Sequence, residues 1–233
     1  MTHTPPLERK PARSYVPLAL MVLYLVVVRL TIATRPDMFR SAAQAAVFAW
    51  PMLGVVAVVG VLGTWIMRRT RRFPEMWDDG VSITWRLWIP VALGIALGAE
   101  AIVVDRVTHW TTLAAQQMHL PSIHIEAPAS FLIYPGGAVI VTILYYLLLV
   151  PLFLWICRGR GFPVIAALAA LIEPATQDLN QPGGVGIASA VFVSDYAMNL
   201  GQVWLFRRAG FVPAVLLRVA FYAVWHMLWP ALS

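Results

Sequence analysis

Seven apolar stretches run through this chain, at about 15–34, 41–67, 81–104, 131–157, 162–177, 185–206 and 211–233, each closed by arginine, proline or a polar turn. About 20 apolar residues cross the hydrocarbon of a bilayer as a helix, and a helix is the structure in which such a run satisfies its own backbone there. The expected fold class is therefore all-α: a polytopic transmembrane helix bundle of about seven membrane segments. The stretch at 162–177 is short for a full crossing, and Glu173-Pro174 is expected to interrupt it before the polar turn at 178–184. The composition fits a lipid solvent, since 60% of residues are hydrophobic and 12% charged, whereas soluble domains carry about 25% charged residues. Residues 1–14, with two tandem prolines and no apolar face, read as a tail, and 15–233 as one transmembrane helical domain. The first run is too long for a secretory signal and lacks a small-x-small cleavage site, so it is expected to be retained.

Orientation follows from the basic residues. With the tail in the cytoplasm, that side holds Arg9, Lys10, Arg13, Arg68, Arg69, Arg71, Arg72, Arg158, Arg160, Arg207 and Arg208, and the other side holds Arg35, Arg40 and Arg106. Eleven against three is the asymmetry of the positive-inside rule, and it places the C-terminus outside. The sixteen arginines against one lysine, Lys10, resemble the coding bias of a GC-rich bacterium, so the expected location is a bacterial inner membrane. The net charge of +6 does not point to nucleic acid, because the arginines cap apolar runs and form no basic patch with interleaved aromatics. The partners expected are the bilayer and other membrane proteins or a membrane-embedded substrate.

The last apolar stretch carries the most restrictive pattern. Arg218, Tyr222 and His226 stand at four-residue steps and so share one face of a helix. A guanidinium in an apolar span is costly unless it turns into the bundle and finds acceptors. Those available just upstream are Glu173, Gln177, Asp195 and Asn199, and Asp195, Asn199 and Gln202 share one face of the preceding stretch. Arg218 is expected to bond directly to at least one of Glu173, Asp195 and Asn199. A lone histidine such as His226 is more often a hydrogen-bonded structural residue than a ligand.

The runs LIEPATQDLN, YAMNLGQVWLFRRAG and FVPAVLLRVAFYAVWHMLW resemble the CPBP family, the CAAX-protease and bacteriocin-processing group of intramembrane proteins, over about residues 128–230. The resemblance implies a helical membrane protein in which glutamates and histidines activate water for peptide cleavage inside the bilayer. It also implies a departure. The family's first motif, paired glutamates followed four residues on by arginine, falls here on Val141–Tyr146, with Thr142 in place of a glutamate and Tyr146 in place of the arginine. Neither side chain replaces a carboxylate base at neutral pH. The expectation is thus a noncatalytic relative with a membrane-subunit, assembly or immunity-type role. The alternative is an active endopeptidase with Glu173 and His226 as catalytic residues.

No metal or other cofactor is expected. The loop at 105–129 holds His109, His119 and His124, but Pro121 breaks helical spacing between the last two, so a wet loop with a short amphipathic helix is expected. A haem subunit would need a second intramembrane histidine beside His226, and the sequence offers none. A transporter would be expected to show an inverted repeat, and none is visible. Cys157, the single cysteine, is expected to be a packing or lipid-facing residue at a helix end.

Overall fold

A computed structural model describes residues 15–35, 42–177 and 182–232. The tail at 1–14 and most of the turn at 178–184 lie outside the described residues. Nine helices make up the described fold: α1 Val16–Thr34, α2 Ala42–Val47, α3 Trp50–Thr70, α4 Thr84–Thr108, α5 Trp110–Gln117, α6 Ser130–Ile156, α7 Phe162–Gln177, α8 Val185–Ala209 and α9 Phe211–Leu232. Five of them, α1, α3, α4, α6 and α9, are long and apolar enough to cross a membrane. On α1, Val16, Leu20, Leu23, Val27 and Leu30 form an exposed stripe, while Leu18, Leu25, Val28 and Ile32 are buried against the other helices. An apolar stripe on that scale suits lipid and not water.

Prolines decide where the helices change register. Among the described residues three π-helical stretches occur, at Thr84–Trp88, Ile143–Leu147 and Ala223–Leu228. Each contains the residue four positions before a proline: Arg86 before Pro90, Leu147 before Pro151 and His226 before Pro230. Proline has no N–H to give that carbonyl and its ring crowds it, so the helix widens there instead of breaking. The second apolar stretch is divided. The chain breaks at Phe48-Ala49, and Pro51 opens a new helix at its first turn, where its missing N–H costs nothing.

The expected interruption at Glu173-Pro174 is also absent, since α7 continues through Pro174 to Gln177. The carbonyl that Pro174 cannot serve is that of Ala170, and it accepts a hydrogen bond from Asn199 Nδ2 of α8 at 3.4 Å. A neighbouring helix has replaced the lost donor, as membrane bundles allow.

Helix α9 sits among α4, α6 and α8. Its seam with α4 is close because Gly94 and Gly98 present no side chain there. A Cβ on Gly94 would lie 2.3 Å from the Leu217 carbonyl oxygen, and one on Gly98 would lie 2.8 Å from Val224 Cβ. Small residues one turn apart let membrane helices approach in this way. Gly210, at φ 104°, makes the α8–α9 turn against the Glu75 carbonyl, and Val212 N donates to Met76 O at 2.9 Å. That turn sets α8 and α9 side by side and brings their polar faces together.

Candidate functional site: a saturated arginine and an adjoining histidine pair

Arg218 is wholly buried, and each of its five N–H groups has an acceptor. Nη1 donates to Glu173 Oε1 at 2.6 Å and to Tyr222 OH at 3.2 Å. Nη2 donates to Glu173 Oε2 and to Asn199 Oδ1, both at 2.5 Å. Nε donates to Gln202 Oε1 at 2.9 Å. The planar guanidinium thus grips the carboxylate with both arms, which is the geometry that favours arginine over lysine.

Each acceptor is itself held. Tyr146 OH donates to Glu173 Oε2 at 3.3 Å, so both carboxylate oxygens are engaged. Gln202 Nε2 donates to Thr142 Oγ1 at 3.2 Å and to the Ala214 carbonyl at 3.0 Å, and Thr142 Oγ1 donates to Ala138 O at 2.7 Å. Asn199 Nδ2 is the donor that lets α7 run through Pro174. Four helices, α6 to α9, are therefore tied at one buried ion pair.

The structure brings Glu173, Asn199, Arg218 and Tyr222 into direct contact, with Thr142 and Tyr146 at the edge of the same network. Gln177 and Asp195 do not bond to Arg218; they line a cavity of about 160 Å³ beside it, with Glu173, Arg218, Tyr222 and His226. Ser194, also on this cavity, donates to Glu100 of α4 at 2.5 Å. Thr142 is fully buried and faces Gln202 and its own helix. Gln202, part of the sequence pattern but not a candidate site residue, is central: its amide bonds three ways.

His226 lies one turn beyond Tyr222 on the widened part of α9. Tyr134 stacks on its ring with centroids 4.3 Å apart, and Tyr222 meets it edge-on at 4.9 Å. Its Nδ1 is 3.1 Å from Nδ1 of His124. This corrects one expectation: in a loop expected to be wet, the His124 side chain is buried and meets His226. The loop folds inward because Ile125 is buried and its N–H donates to Tyr134 OH at 2.8 Å. The sequence signal was the apolar pair Ile123 and Ile125 flanking His124.

The expected short helix of this loop is α5. Its N-terminus is held by Asp105, whose carboxylate accepts from Thr111 N at 3.0 Å, Thr111 Oγ1 at 2.8 Å and Trp229 Nε1 at 3.1 Å. Between α5, the loop and the end of α9 lies an open vestibule of about 850 Å³ lined by Asp105, Arg106, His109, His124 and Glu126. Among the described residues no group of three or more histidine, cysteine, aspartate or glutamate side chains is placed to hold a metal ion.

Chemically, the Glu173 carboxylate accepts from both arms of a guanidinium and from a phenol. The arrangement is suited to holding helices in register. No family model, curated protein or solved structure matches the chain.

Proposed function

We propose that this chain is a multi-pass membrane protein, a noncatalytic relative of the CPBP intramembrane proteases with a membrane-subunit, assembly or immunity-type role. The observation that carries this reading is the saturation of Arg218: every N–H is bonded, and both oxygens of Glu173 accept from the clamp. A water-activating glutamate is positioned by the water and base it serves, whereas the orientation of this one is set by the guanidinium that grips both its oxygens, with one acceptor position left on Oε1. Thr142 and Tyr146, at the positions of the family's first motif, serve the same clamp.

The proposed topology has seven crossings, with α7 and α8 added to the five long apolar helices, the tail in the cytoplasm of a bacterial inner-membrane protein and the C-terminus outside. Its supports are the arginine asymmetry and the length of α8, 25 residues, or about 37 Å at 1.5 Å per residue. α7 is 16 residues, about 24 Å, a thin or tilted crossing.

The second reading is an active endopeptidase, and one observation favours it: Glu173 and His226 line the same cavity. Glu173→Gln and His226→Ala, compared with wild type for membrane-protein cleavage in native membranes at matched protein levels, separate the two. Unchanged cleavage products support the noncatalytic reading. Substrate accumulation in both variants with folding intact overturns it.

A further inference from the structure

Three arginine clusters far apart in the chain meet at one end of the bundle. The cluster at 68–72 closes α3, Arg158 and Arg160 lie in the α6–α7 turn, and Arg207 and Arg208 close α8. Arg207 Nη1 donates to the Arg72 carbonyl, and the Arg72 guanidinium packs onto Gly159, between Arg158 and Arg160. Gly159, at φ 83°, makes that turn and has no side chain to hold the guanidinium off. The Arg207 guanidinium lies over two rings, 5.5 Å from the centroid of Phe73 and 5.9 Å from that of Phe162. A topology signal needs only basic residues near the ends of spans on one side; it does not require arginines from three segments to touch.

The chain does not supply the counter-charge. Among the described residues no carboxylate forms an ion pair with Arg72, Arg158, Arg160, Arg207 or Arg208. Glu75, Asp78 and Asp79 are the acids at 68–79, and Asp79 is bonded to Arg86 at 2.6 Å. Guanidiniums gathered in this way repel one another, and an anion among them is attracted by several at once. Their forked N–H groups match the oxygens of a phosphate. Arg207 is exposed, so the N–H groups not spent on the Arg72 carbonyl can reach such a ligand, and its rings and that bond already order it, which lowers the cost of binding.

The neighbourhood selects an anion that carries acyl chains. Trp155 and Ile156 just before the turn, and Val164 and Leu168 just after it, are apolar and exposed. In a bilayer such side chains face lipid, and a tryptophan there marks the level of the headgroups. We propose that Arg72, Arg207 and the turn around Gly159 bind the headgroup phosphate of an anionic phospholipid, whose acyl chains lie along the exposed face of α6 and α7. Basic pockets between membrane helices hold anionic headgroups in this way. The bound lipid would join three segments whose arginines otherwise repel one another: the end of α3, the α6–α7 turn and the end of α8. The site rests on the multi-pass membrane reading, which topology reporters test separately, and it is the same whether or not Glu173 is catalytic.

Native mass spectrometry of the full detergent-solubilised chain, titrated with phosphatidylglycerol and, as a zwitterionic reference, phosphatidylcholine, tests the site. Wild type is expected to bind phosphatidylglycerol about tenfold more tightly than phosphatidylcholine. Arg72→Gln/Arg207→Gln should weaken phosphatidylglycerol about tenfold, whereas Arg69→Gln/Arg71→Gln, which removes the same charge from the same end but outside the site, should weaken it less than about twofold. If the first double variant does not fold, Arg207→Gln, a change at an exposed side chain, decides alone, with a weakening of about threefold expected. Inorganic phosphate at about 10 mM, compared with chloride at equal ionic strength, should leave the lipid bound. Displacement by phosphate would make this a site for a soluble anion and overturn the lipid proposal. Equal affinity of wild type for the two lipids, equal weakening in the two double variants, or an Arg207→Gln chain that binds as wild type does overturns it as well.

Discussion

Arg218→Met removes five hydrogen bonds at one point while keeping most of the side-chain volume. Glu173, Asn199 and Gln202 then face one another inside the bundle with their donor gone. Removing one partner of a buried ion pair costs about 3–5 kcal/mol, because the other charge stays buried without compensation. An orphaned amide oxygen adds about 1–3 kcal/mol, but the cavity next to the clamp admits water to part of the cluster, so the total expected is about 4 kcal/mol. For a chain of this size each kcal/mol moves the melting temperature by about 2–4 °C, so a fall of about 10 °C is expected. Glu173→Met should act similarly. The double variant Glu173→Met/Arg218→Met should lose less than the sum of the two, with a coupling of about 2 kcal/mol, because neither charge is left alone. The assay is thermal unfolding of detergent-solubilised protein, with folded yield by size exclusion as a second readout. A single Arg218→Met variant melting within about 2 °C of wild type, or a double variant with strictly additive loss, would refute the clamp.

Three further outcomes are expected. Asn199→Leu strips the donor from the Ala170 carbonyl as well as one acceptor from Arg218, and Pro174→Ala, which restores an in-helix donor, should recover part of its lost melting temperature; no recovery would show that Asn199 does not complete α7. Gly94→Val should cut folded yield sharply, because a Cβ there meets the Leu217 carbonyl at 2.3 Å, whereas Gly54→Ala, with nothing within 4 Å, should leave yield unchanged; equal yields would contradict the close α4–α9 seam. Topology reporters fused at Gly161 and Gly184 should report opposite sides of the membrane, and the same side for both would remove α7 as a crossing.

Much of this was legible in the chain because it follows from local costs. Apolar runs of bilayer length declare helices, and Arg218 in the middle of one demands acceptors, which the i, i+4 spacing to Tyr222 and the polar face of Asn199 and Gln202 supplied. What the sequence obscured were the tertiary substitutions. Pro174 looks like a helix breaker until Asn199, 25 positions later in the chain, is known to serve the Ala170 carbonyl. Pro90, Pro151 and Pro230 carry a local signal for widened turns, yet which prolines widen a helix and which are rescued from outside depends on the neighbours. His124 was hidden because a polar loop reads as solvated, and only the packing of Ile125 and the bond from its N–H to Tyr134 turn the imidazole inward.

The clamp and the water-activating pair make opposite demands on one carboxylate, and an experimental structure in lipid at a resolution that shows ordered water distinguishes them. The prediction is that Arg218 holds Glu173 with both arms, with Asn199, Gln202 and Tyr222 completing its five bonds, and that no single water lies within hydrogen-bond reach of both Glu173 and His226. A water held at about 2.6–3.2 Å from the Glu173 carboxylate and from the His226 imidazole, with Arg218 turned away, would contradict it.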